Sequence, residues 1–169
     1  MSGIQEVERE IIRVALERSF ISHKDLERAA KFRTKLSARG RRTHLLKVLL
    51  PYLKPKNYRE LEQLWKQTTK NTLVKLEAGV LQDPSQPRAW LDLIGLRLAL
   101  SDVAGALRDL NGCARNLQEP PADVFLLRGE VLASLGRVAE ARADLEHLLA
   151  LAPGGARALR AHEILAQLP

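Results

Sequence analysis

Ser101-Asp102-Val103-Ala104-Gly105-Ala106-Leu107-Arg108-Asp109-Leu110 and Gly136-Arg137-Val138-Ala139-Glu140-Ala141-Arg142-Ala143-Asp144-Leu145 are two readings of one phrase. Ala141 follows Ala106 by 35 positions, and apolar residues within each copy recur at helical spacing. A period of that length predicts stacked helix pairs, because one pair cannot bury its apolar face alone. The alanines have a packing role, since two helices approach closely only where a small residue admits the facing ridge. Extended in both directions, the repeated stretch runs from Trp90 to Pro153. No segment of the chain alternates with period two, so the expected fold is all-α.

These residues resemble the tetratricopeptide repeat, a helix-turn-helix unit of about 34 residues, over about residues 85–169. In the first copy Trp90 and Leu93 stand at the first-helix aromatic and leucine, Ala106 at the small second-helix position and Leu110 at the large one. In the second copy Phe125, Gly129, Ala141, Leu145 and Pro153 fill the aromatic, small, small, large and closing-proline places. The pattern departs from the family at Ile94, Cys113, Arg128 and Gln118, where Gly or Ala, Ala, Leu and Pro are usual. The resemblance implies an inner groove lined by alternate positions of each first helix. Carried over, these are Arg88, Leu91, Gly95 and Leu98, then Asp123, Leu126, Glu130 and Ala133, with Arg157, Arg160 and Ile164 added by a C-terminal helix. Leu91 and Gly95 stand where co-chaperone members carry the Lys and Asn that grip a terminal carboxylate. The implied occupant is therefore a helical or extended segment of a partner protein, or the chain's own helix over 58–82 folded across the groove.

Two repeats need covering at both ends. A helix over 155–168 would cap one end, carrying Leu159, Ile164, Leu165 and Leu168 among charges. At the other end, Asn57-Tyr58-Arg59-Glu60 reads as a helix start with Asn as cap, and helical spacing continues to about residue 82. The expected organisation is a basic helical module over 1–56 and a repeat domain over 57–169, led by the long helix 57–82. Within the module, Ile4, Val7, Ile11, Val14 and Ala15 form one stripe. Ser22-His23-Lys24-Asp25 forms a capping box before Leu26, Ala29, Ala30, Phe32 and Leu36. A third helix begins near Thr43 and meets Pro51.

Charge divides the chain in the same direction. Residues 1–75 hold 18 Lys or Arg against 8 Asp or Glu, a net of +10, whereas 76–169 hold 9 against 12, a net of −3. The densest basic run includes Lys24, Arg28, Lys31, Arg33, Lys35, Arg39, Arg41, Arg42 and Lys47. Such a patch favours an acidic protein surface, a nucleic acid or a nucleotide, or is a solvated face or one that docks on the acidic half of its own chain. Around it, Ala15 to Ala29 and Gly40 to Leu46 resemble, more weakly, the small N-terminal domain of type II secretion and type IV pilus ATPases. Some of those domains bind cyclic di-GMP through Arg-Leu-Gly followed by spaced leucines and Gln. Here Arg42-Thr43-His44 replaces the triplet, and Leu53, Leu61, Leu64 and Gln67 echo the later positions.

The 169 residues, 46% of them apolar, suffice for one or two compact helical units. Neither a signal peptide nor a run of about 18 apolar residues is present, which predicts no membrane span and a cytoplasmic location. Cys113 is the single cysteine, so no internal disulfide forms and core packing is its expected role. The four histidines are scattered, no phosphate loop occurs, and no nucleophile has a base beside it. The expected function is a non-enzymatic, bacterial-type adaptor without cofactor or metal, with nucleic-acid or nucleotide binding by the basic module as the alternative.

Overall fold

The stripe at Val7, Ile11 and Ala15 falls on one face of a 3.6-residue helix, and these three side chains are fully buried. They lie on α1 (Gly3–Glu17), the first element of a computed structural model that describes residues 3–38 and 45–169. It is followed by α2 (His23–Ala38), α3 (Leu45–Leu49), a 3₁₀ turn (Leu50–Tyr52) and α4 (Pro55–Gln82). The repeat region supplies α5 (Pro87–Ala99), α6 (Val103–Asn116), α7 (Ala122–Ser134), α8 (Val138–Leu151) and α9 (Gly155–Gln167). No strand occurs among the described residues. No described helix is long and apolar enough to cross a membrane.

The chain forms two compact units, Met1–Leu76 and Glu77–Pro169. That division differs from the expected boundary at 56/57, because Leu61 and Trp65 of α4 join the core built by Val7, Ile11, Ala15, Ile21, Ala29 and the α3 leucines. It lies within one residue of the position where the charge balance changes sign.

In the first unit Ser22 caps α2 as its sequence predicts. Its Oγ accepts the Asp25 N–H at 3.1 Å and donates to the Asp25 carboxylate at 2.8 Å. Of the residues read as the α2 stripe, Ala29 is buried and Leu26 half-buried, whereas Ala30 and Phe32 face solvent. The start of α4 also differs from its reading. The helix begins at Pro55 rather than at an Asn57 cap, because proline's missing N–H costs nothing in a first helical turn.

In the second unit α5 packs on α6, α6 on α7, α7 on α8 and α8 on α9, and α7 also meets α9. Phe125, Leu145, Leu148, Ala161 and Ile164 share one core. The closest helix approaches fall on glycines. A Cβ at Gly112 would lie 2.8 Å from the Trp90 ring, and one at Gly129 would lie 2.8 Å from Leu145. Trp90 is held in that position by its Nε1–H, which donates to the Pro84 carbonyl at 2.9 Å.

The turns between paired helices repeat as well. Asp102 N–H donates to the Arg97 carbonyl and Ser101 N–H to Leu98; Arg137 N–H donates to Leu132 and Gly136 N–H to Ala133. Each is a Schellman closure with a left-handed residue at its corner, Ser101 at φ 61° and Gly136 at φ 73°. Those two corners are 35 positions apart, like Ala106 and Ala141.

Candidate functional site: the first-helix face

The expected groove positions lie on α5, α7 and α9. On α5 Arg88 is exposed, while Leu91, Gly95 and Leu98 are half-buried. A Cβ built on Gly95 meets nothing within 4 Å, so the face is open there. On α7 Asp123, Leu126, Glu130 and Ala133 are half-buried, and Leu126 and Ala133 also pack against the shared core. Ile164 departs from its expected place. It is 7% exposed and belongs to that core, because burying Ile164 with Ala158 and Ala161 is what seats α9.

The two arginines of α9 are engaged by the acids of α7. Arg157 donates through Nε and Nη2 to the Asp123 carboxylate at 2.5 and 2.9 Å. Arg160 donates through Nε to Glu130 at 2.8 Å and through Nη1 to Glu163 at 3.1 Å. These hydrogen bonds hold both guanidinium pKa values above their ordinary value. Among the described residues no hydrogen bond or ion pair joins the α5 positions to those of α7, and Arg88 has no charged partner. The face is thus a self-paired α7–α9 half and an unpaired α5 half.

Two groups of ion pairs, one centred on buried Arg97 and one on half-buried Arg128, were not anticipated. Arg97, 6% exposed, donates to Asp109, to Asp102 at 2.8 Å and to Glu77 at the end of α4. Burial works against its charge, yet the hydrogen bonds to Asp109 and Asp102 and the attraction of Glu77 hold its pKa above the ordinary value. Asp102 also accepts the Gly105 N–H at 2.9 Å, and that bond, then Arg97, keeps its carboxyl below the usual carboxylate range. In the second copy Arg128 forks onto Asp144 at 2.7 and 2.6 Å and lies 5.8 Å from the Phe125 ring centroid. The signal was present, since Asp109 and Asp144 repeat at the 35-residue period. A charge that recurs in phase with core residues indicates a buried partner.

The basic patch is less concentrated than its sequence. Arg33 pairs with Glu8 of α1 at 2.6 Å and Arg28 with Asp25 at 3.1 Å. Lys24, Lys31 and Lys47 are exposed. Lys35 lies on α2, and Arg39, Arg41 and Arg42 lie outside the described residues, as do Thr43 and His44. Leu61, Leu64 and Gln67, the echo of a cyclic-dinucleotide site, line a concavity of about 550 Å³ with Arg13 and Arg18. Both arginines are already matched there, Arg13 by Glu10 and Glu17 and Arg18 by Glu60, while Leu61 is core.

No protein-family model matches this chain, and no curated protein is similar to it. Among solved structures it is similar to a tetratricopeptide repeat protein from Parabacteroides merdae ATCC 43184, with a TM-score of 0.52 over 84% of this chain at 16% identity. The fold is a tetratricopeptide-like helical-repeat array. The chain spans 59% of the length of that neighbour. At this identity the likeness speaks for the architecture, and function has to be argued from the site.

Proposed function

We propose that residues 77–169 form a non-enzymatic interaction scaffold whose first-helix face holds a segment of a partner protein. The observation that supports this most is the α5 half of the face. Half-buried Leu91 and Leu98 flank the open Gly95, and Arg88 stands exposed on the same helix. That combination suits an amphipathic segment with an apolar anchor for the leucines and an acidic neighbour for Arg88. The α7–α9 half closes on itself through Asp123, Glu130, Arg157 and Arg160, so these four residues fix the shape of the face more than they bind. The same reading makes the protein a cytoplasmic, bacterial-type adaptor, which fractionation of the source cells checks.

Leu98→Glu and Arg88→Glu test the proposal. Both should release a copurifying protein while leaving the thermal unfolding midpoint within a few degrees. Retention of that protein by both variants would place its binding elsewhere.

A second reading, nucleic-acid or nucleotide binding by the basic unit, has one supporting observation. The Phe32 ring is 52% exposed on the helix that also carries exposed Lys24 and Lys31, and an exposed aromatic beside cations suits base stacking. Nucleic-acid affinity of this kind falls steeply and linearly on a log-log salt plot. Absence of binding to a single-stranded oligonucleotide at low salt would remove this reading.

A further inference from the structure

The second unit carries another concavity, away from the groove positions. About 490 Å³ in volume, it is lined by Arg108, Asn111 and Arg115 of α6 and Arg128 of α7. A hollow of about 280 Å³ shares Asn111 and Arg128 and adds Arg137, Glu140 and Asp144 among its walls. Arg108, Asn111 and Arg115 are spaced three and seven positions apart, so they share one face of α6.

The three arginines differ in commitment. Arg128 is held by its Nε and Nη2 bonds to Asp144, and its Nη1 has only a long 3.4 Å contact with the Asn111 Oδ1. One edge of a positioned guanidinium therefore keeps donor capacity. Arg108 stands 3.8 Å from Asp109. Arg115 is exposed and has neither hydrogen bond nor ion pair among the described residues. Among the residues lining the two hollows, Glu140 and Asp144 offset half of the charge of Arg108, Arg115, Arg128 and Arg137, leaving a surplus of two positive charges. That surplus is small for a polyanion and suits the carboxylates of a short acidic segment, and the planar guanidinium fork matches a carboxylate in two-point geometry.

We propose that this concavity is a second docking point that takes an Asp or Glu side chain from an acidic segment of a partner protein, with Arg128 as fixed anchor and Arg115 closing over the carboxylate. The site is independent of the first-helix face, because none of its residues is a groove position.

The experiment titrates the full chain with a fluorescein-labelled peptide carrying one Glu-Glu pair between neutral residues. Anisotropy reads affinity, and arginine Nε–H NMR shifts read location. Shifts at Arg115 and Arg128 are expected, and Arg115→Gln should weaken binding about tenfold, the usual loss of a charged hydrogen bond. Arg115 has no partner among the described residues to lose, so this variant should keep the wild-type melting temperature. Lys24→Gln with Lys31→Gln should leave affinity within about twofold, as expected of distant sites. Unchanged affinity in Arg115→Gln, or shifts confined to arginines before residue 77, would overturn the proposal. So would inorganic phosphate or a DNA duplex that outcompetes the peptide at Arg115, since the site would then select phosphate.

Discussion

The two copies of the repeat, α5–α6 and α7–α8, carry one acceptor and two different donors. Asp109 and Asp144 occupy equivalent positions and both are nearly buried. Arg97 reaches the first from the C-terminal part of α5, while Arg128 reaches the second from the middle of α7. Arg97 thus sinks among three carboxylates, and Arg128 stays at the edge of a concavity, its Nη1 engaged only by a long contact to Asn111. The repeat fixes the aspartate, and the facing helix supplies a cation wherever its own packing permits. In the first copy the arginine is buried with its partners; in the second the same need leaves an arginine lining a concavity.

The largest expected effect separates these two roles. Arg97→Ala strands Asp109 and leaves Asp102 and Glu77 uncompensated, and removing one side of a buried pair costs about 3–5 kcal/mol. Arg128→Ala opens its carboxylate to water in the adjoining hollows and should cost about 1–3 kcal/mol. Urea unfolding followed by circular dichroism measures both. An Arg128→Ala loss equal to or above that of Arg97→Ala would erase the distinction between the copies.

Next in size are the close approaches. Alanine gains up to about 1 kcal/mol in helix propensity over glycine, but overpacking costs about 1–3 kcal/mol. Gly112→Ala and Gly129→Ala should therefore destabilise, with Gly112→Ala the worse because the Trp90 indole is rigid and hydrogen-bonded. Stabilisation by either alanine would mean that the helices of that copy pack less closely than described.

Cys113 provides a pH test within the first copy. Burial outweighs the attraction of Arg128 and pushes its thiol from 9.0 up to about 11. The unfolded chain therefore ionises first. The stabilisation is complete below pH 9 and is lost as pH rises towards 11, amounting to about 2 kcal/mol across that window. The stability difference between wild type and Cys113→Ala should shrink or reverse over this range, and the native thiol should resist alkylation at pH 8. Prompt alkylation of the folded protein would show that the thiol is not buried.

The smallest effects lie at the repeated turn. Ser101 holds a left-handed conformation that glycine adopts freely. Ser101→Gly should gain about 1 kcal/mol and Gly136→Ser lose about as much. Thermal unfolding that shifts in the same direction for both would break the equivalence of the turns.

Much of this architecture is legible in the sequence. The 35-residue period, the Ser22 cap and the α1 stripe depend on local spacing, and each appears where its residues predict. The compact units divide at 76/77 rather than at the expected 56/57, because apolar spacing along α4 does not say which core Leu61 and Trp65 join. The change in charge after Lys75 marked the division more closely. Site positions were harder to foresee. The tetratricopeptide resemblance implied groove positions at Asp123, Glu130, Arg157 and Arg160, but whether such charges await a partner or satisfy each other depends on the distance between α7 and α9. Ile164 moved into the core for a similar reason, since the rotation of α9 is set by the helices it packs on.

The most direct test of the scaffold reading is site-specific photocrosslinking in the source cells, with benzoylphenylalanine replacing Leu98 on the first-helix face or Glu146 on the exposed side of α8. A discrete adduct from Leu98 and none from Glu146 is expected. Adducts from Glu146 alone would contradict the assignment of partner binding to the first-helix face.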